Sequence, residues 1–244
     1  MPDVEQPAGP WGSALGTLRD WDPVWADACH AMSTEPWRSD VLSDRFVELV
    51  SVALAAACTT LDAEATRRHV RAALAAGATR EEIVFVVKCA SVVSLHSLSV
   101  AAPILIEEIE EAGAAPGVGQ NNPEPMPTPY SDALRAAGQW NTAWDPFVEL
   151  DPSWTDQFMA VGVAIYTADV LSPKEIELLS IAVDASVTHL YAPGIRRHIR
   201  AALDAGASPA EIMAVLKLCV AQGVQACNLA IPIIDDEFTR TADE

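Results

Sequence analysis

The chain has 244 residues, half of them apolar, with 34 acidic against 15 basic side chains and a formal net charge of −19. So much apolar content excludes an unstructured chain, and the acidic excess argues against nucleic acid and anionic membrane surfaces as partners. Five cysteines without a C-x-x-C spacing fit reduced thiols in a cytoplasm rather than a disulfide framework, and neither a charge-free run of membrane-spanning length nor a secretory leader is expected.

Residues 1–21 read as an N-terminal extension, and the rest of the chain is written twice. A shift of 129 positions lays "DPVWADACHAMSTEPWRSDVLS", from Asp22, on "DPSWTDQFMAVGVAIYTADVLS", from Asp151, without a gap. It also lays "ATRRHVRAALAAGATREEI" (65–83) on "GIRRHIRAALDAGASPAEI" (194–212). The first copy spans 22–112 and the second 134–244. Between them, 113–133 is rich in Gly, Pro and Asn and is predicted to be a linker. Two copies make a duplicated domain rather than a solenoid.

The elements are predicted most sharply in the second copy. Ser172 reads as an N-cap, with Pro173 at the first helical position and Glu175 closing a capping box. Ile176, Leu179, Val183 and Val187 then recur at helical spacing. The Pro193-Gly194 pair is predicted to break the chain before a second helix from about Ile195 to Ala205, stopped by Gly206. "SPAEIMAVLKLCVAQGVQACNLAIPIIDDEF" supplies a third helix, bent or interrupted near Gly223. No long alternating pattern occurs, so the predicted fold class is all-α.

Several side chains in this frame could carry chemistry. Glu177, in an apolar helix, has Glu48 as its counterpart; it is either a proton-transfer group or half of an ion pair with an arginine of the next helix. His198 recurs as His69 and is predicted to point sideways into the bundle. His189 ends the first helix, where a capping role is also open. Glu177, His189 and His198 together would make a possible site for Fe or Zn, although their spacing lacks the i, i+4 mark of a helix-borne zinc site. Arg197 suits a substrate carboxylate, whereas Arg196 and Arg200 fit a solvated helix face. Tyr191 could donate a hydrogen bond to a substrate. Lys217, inside the most apolar helix, either snorkels outward or binds substrate. The cysteines at 89, 219 and 227 read as core fillers.

The run "RRHIRAALDAGASPAEI", followed by "VLKLCVAQGVQACN", resembles the carboxymuconolactone decarboxylase family, which includes the AhpD-like alkylhydroperoxidases. The resemblance covers both copies. It implies an AhpD-like helical bundle, duplicated here, that assembles through subunit interfaces. In the peroxidase branch a glutamate precedes a redox pair C-x-x-C. Counted from Glu177 those positions are His189 and Ala192, and from Glu48 they are Thr60 and Ala63, so thiol peroxidase chemistry is not expected. The decarboxylase branch carries His at the position of His198, while Lys217 stands where it has another His. The implied enzyme is a lyase without an organic cofactor, acting on a small carboxylated lactone of aromatic catabolism, with Glu177, His189 and His198 catalytic and Arg197, Tyr191 and Lys217 binding substrate. The alternatives are a metal-dependent oxygenase or hydrolase and a non-catalytic binding or assembly member. Because "THLYAPG" in the second copy is "TTLDAEA" in the first, one working site is expected, in the second copy, with His96 a possible contribution from the first. Three duplicated chains would reproduce a ring of six bundles, so a homotrimer is expected, with a dimer as the alternative.

Overall fold

The computed structural model describes residues 9–114, 126–136 and 140–242, and among these every regular element is helical. They form two compact units, one built from the stretches before 91 and after 169 and the other from 91–169. The units therefore cut across the sequence copies: the first unit holds the early helices of the first copy and the later helices of the second.

In the first unit, α1 (Ala14–Trp21), α2 (Pro23–Ser33), α3 (Glu35–Arg38), α4 (Asp44–Ala56), α5 (Ala63–Ala75) and α6 (Arg80–Val92, to residue 90) come from the extension and first copy. In the second unit are α7 (His96–Ala112), α8 (Pro129–Ala136), α9 (Asp145–Leu150) and α10 (Pro152–Tyr166). The first unit is completed by α11 (Pro173–Ala185), α12 (Ala192–Asp204), α13 (Pro209–Ala221) and α14 (Gln225–Ala242). α8 begins inside the span predicted as linker; most of that span lies outside the described residues.

The centre of the first unit is the pair α4 and α11, which touch each other and each pack against the following helix of their own copy. Val47, Leu49, Val50, Val52, Leu178, Leu179 and Ile181 are almost wholly buried there. Each such side chain contributes about 1.5–3 kcal/mol of hydrophobic stabilisation. Arg45 of α4 pairs with Glu82 of α6 and, at 2.5 Å, with Glu175 of α11. The extension is built into this unit: Trp11, Leu18, Ala26 and Val224 form one apolar cluster. In the second unit Leu95, Ala102, Leu134, Phe147 and Met159 form another.

Local signals set the helix starts. Ser172 and Ser208 each accept from the backbone N–H of the glutamate three residues on, whose carboxylate returns to the cap's N–H. The predicted interruption at Gly223 is a 3-10 turn over Gln222–Val224. Three predictions need correction. The Pro193-Gly194 pair does not precede α12 but lies in its first turn, where proline's missing N–H costs nothing. α11 ends at Ala185, so His189 sits in the following turn and Val187 is exposed. The expected lack of a membrane-spanning run also fails by composition: 80–112 and 209–241 are long and apolar enough, with 33% and 39% of their most apolar windows buried inside the protein.

Candidate active site

In the second copy, α11 carries Glu177 and Asp184 two turns apart on one face. α12 brings His198 between them, 7% exposed. His198 Nδ1 lies 2.6 Å from Glu177 Oε2, and Nε2 lies 3.8 Å from Asp184 Oδ2. One imidazole thus spans two carboxylates of a single helix. Glu177 does take a side-chain partner from the next helix, but it is the histidine and not an arginine.

A turn places the remaining groups. The N–H groups of His189 and Leu190 donate to the Ser186 carbonyl, and that of Tyr191 reaches back to the Asp184 carbonyl at 2.9 Å. Closing it puts Leu190 at φ +51°, a left-handed conformation costing about 1–2 kcal/mol for a residue with a Cβ. Leu61 in the first copy has the same φ, and Asp62 N–H bonds the Ala55 carbonyl in the same way. The turn is thus a shared device, decorated differently in each copy.

Burial pushes the Asp184 carboxyl up to about 6, against the opposing pull of His198 and Arg197. Burial also lowers the pKa of His189. These two bring potential ligand atoms within 4.8 Å of each other, and the His189 and Tyr191 rings lie 6.1 Å apart. Gly194 fits closely: a Cβ there would meet Asp184 Oδ2 at 1.9 Å and Tyr191 Cδ1 at 2.7 Å. The first copy has Ala65 at that position and Ala55 in place of the aspartate.

Of the predicted site residues, Glu177 and His198 meet directly, and His189 joins them through Asp184. Tyr191 is the residue before α12, and Arg197 is half-buried on that helix. Lys217 is turned to Glu35 at 2.8 Å, with its side chain 40% exposed, which is the snorkelling alternative rather than an approach to the dyad. Arg196 and Arg200 are exposed. The set Glu177, His189 and His198 does not converge as one metal site, because His198 Nδ1 is engaged by Glu177 while His189 neighbours Asp184 instead.

The first copy repeats the dyad. His69 Nδ1 lies 2.7 Å from Glu48 Oε2, with both side chains nearly inaccessible. Trp37 Nε1 donates to Glu48 Oε1 at 2.6 Å, and its ring stacks on His69. Beside this dyad opens a small pocket lined by Trp37, Thr60 and His69 and by Leu218, Gln222 and Gln225 of the second copy. Sequence reasoning missed Asp184, Trp37 and this cavity. A lone aspartate in the apolar run "LLSIAVDASV" was the available signal for the first.

The sequence profile of the carboxymuconolactone decarboxylase family matches residues 23–102 and 152–236. A crystal structure provisionally named as a gamma-carboxymuconolactone decarboxylase subunit, from Burkholderia xenovorans LB400, superposes with a TM-score of 0.83 at 32% sequence identity, over 95% of this chain and 92% of that one. No curated protein matches the chain.

Proposed function

The chain belongs to the carboxymuconolactone decarboxylase family, and we propose that it is a lyase transferring a proton on a small carboxylated lactone, or a related intermediate of aromatic ring cleavage. The observation that carries this reading is His198 suspended between Glu177 and Asp184, beside a carboxyl whose pKa of about 6 lets it hold or release a proton near neutrality. Glu177 fixes the ring at Nδ1, leaving Nε2 on the Asp184 side to pass the proton. Arg197 holds the substrate carboxylate as a guanidinium fork can. In decarboxylation the C–CO2− bond breaks, its electron pair moves into the conjugated carbonyl system of the ring, CO2 leaves, and the proton passes to ring carbon from the His198–Asp184 pair. No organic cofactor enters this scheme. His189 and Tyr191 flank the reacting group.

The reading extends to a cytoplasmic homo-oligomer, a trimer with a dimer as the alternative. Leu229, Ile233 and Phe238 of α14 are exposed and give apolar area for such contacts.

The test is turnover of a gamma-carboxylated lactone, followed by CO2 release. Glu177→Gln, His198→Gln and His189→Ala should each lower kcat/KM by roughly a hundredfold or more while far-UV circular dichroism is retained. Wild-type rates in His198→Gln would overturn the assignment. Activity lost with a chelator and restored by Fe or Zn would point instead to metal-assisted chemistry.

A further inference from the structure

We propose that the first copy holds a second carboxylate-binding site, centred on Arg68 and occupied by the chain's own N-terminal strap, Gly9–Gly12. Arg68 is the counterpart of Arg197 under the shift of 129 positions. That parallel rests on the role proposed for Arg197, whereas the site itself rests on the geometry of the first copy.

Three side chains converge on one atom of the strap. Arg68 Nη2 donates to the Pro10 carbonyl at 2.8 Å, Asn228 Nδ2 at 2.8 Å and Gln225 Nε2 at 3.2 Å. A backbone carbonyl has two lone pairs, so three donors outnumber its acceptor positions, whereas a carboxylate offers about four. The guanidinium is also underused. Its other hydrogen bond goes to the neutral Gln225 Oε1 at 3.4 Å, and Nε is buried without a hydrogen-bond partner. Nε and Nη2 form one edge of the guanidinium fork, on which a carboxylate can accept two parallel bonds. The neighbouring acids are engaged elsewhere. Glu48 accepts from Trp37 and faces His69, and Asp62 Oδ1 accepts from the Ala65 N–H.

The strap is fastened on both sides of Pro10. Trp11 is buried, and its indole N–H donates to Ser33 Oγ at 2.8 Å. The Gly12 N–H donates to Asn228 Oδ1 at 2.9 Å. Gly9 precedes them at φ +139°, a backbone conformation that residues with a Cβ rarely adopt. Pro10 and Gln225 both line the small pocket beside the Glu48–His69 dyad, so the seated strap keeps that pocket small. A ligand reaches Arg68 only when the Pro10 carbonyl leaves, and its apparent affinity is reduced by the fraction of open molecules. The ligand class is a small monocarboxylate, its charged end on Arg68 and its body in the space the strap vacates.

Benzoate is the probe and benzamide its uncharged control. The indole N–H of Trp37, assigned with a Trp37→Phe variant, reports binding by NMR because Trp37 lines the same pocket and is bonded to the dyad. Gly9→Ala and Trp11→Ala each loosen the strap while leaving all three donors in place. Each should tighten benzoate binding about tenfold or more over wild type. Arg68→Gln added to either should abolish that gain, whereas Arg197→Gln should leave it intact. Trp11→Ala removes a core side chain, so Gly9→Ala decides the matter if that variant does not fold. Unchanged affinity in the loosened protein, a gain that survives Arg68→Gln, or equal tightening of benzamide would overturn the proposal. Lactone turnover is a separate readout, so either reading can fail without the other.

Discussion

A methyl group at position 194 would sit 1.9 Å from Asp184 Oδ2, closer than any tolerable contact, yet the first copy has alanine at the matching position. The difference is relieved there because Ala55 replaces the aspartate, so each copy is consistent within itself. Gly194→Ala should therefore cost about 1–3 kcal/mol through overpacking. Asp184→Ala combined with Gly194→Ala should recover most of that loss, which a four-variant thermal denaturation cycle would measure. Strict additivity of the two changes would show that the aspartate is not what excludes the side chain. Asp184 also carries a pH signature. Its pKa is raised from 3.8 to about 6 on folding, so the folded state binds the proton more tightly than the unfolded chain. Its contribution is thus most favourable below about 4 and falls as pH rises to about 6, to a cost of roughly 3 kcal/mol when ionised. Relative to wild type, Asp184→Asn should gain stability across that window in denaturant titrations and lose activity. A variant no more stable than wild type at pH 7 would argue against the raised value.

At the scale of elements, the helix starts were legible because capping is local. Ser172 and Ser208 and the glutamates three residues after each lie within a few positions of one another, and each bond forms as the spacing predicts. Ser13 precedes α1 but makes no side-chain capping bond. Ser172→Ala and Ser208→Ala should each cost about 1 kcal/mol, and Ser13→Ala much less, as urea midpoints would show. The Glu177–His198 dyad was half legible: both residues were picked from recurrence and family resemblance, but their direct bond was not foreseen. The turn is less legible, because Pro193 and Gly194 read as a break in the sequence although proline suits a first helical turn. The cavity was not legible at all. It depends on Gln222 meeting the Leu54 carbonyl across 168 positions, and no local pattern encodes that separation.

For the whole molecule, the proposed assembly follows from apolar surface that the chain leaves uncovered. Leu229 and Phe238 on α14 are about 70% exposed, and hydrophobic area of this kind is commonly closed by symmetric association. Multi-angle light scattering at micromolar concentration should return about 78 kDa, three times the 26.0 kDa chain, and Phe238→Glu should lower the mass. A monodisperse monomer would remove the trimer. The large negative charge should keep such particles dispersed, with solubility falling as pH approaches the isoelectric point near 4.4.

The cavity beside Glu48 and His69 borrows Leu218, Ala221, Gln222 and Gln225 from the other half of the chain, and this changes what the duplication means. Two fused copies usually remain separable in principle, each able to revert to an independent ancestor. Here one copy supplies part of a pocket beside the other's dyad, which its own dyad does not use. A gene cut between the halves would leave the first with an open flank where a wall had been. The halves are in that sense no longer repeats but complementary parts, free to diverge in chemistry while bound to stay on one chain.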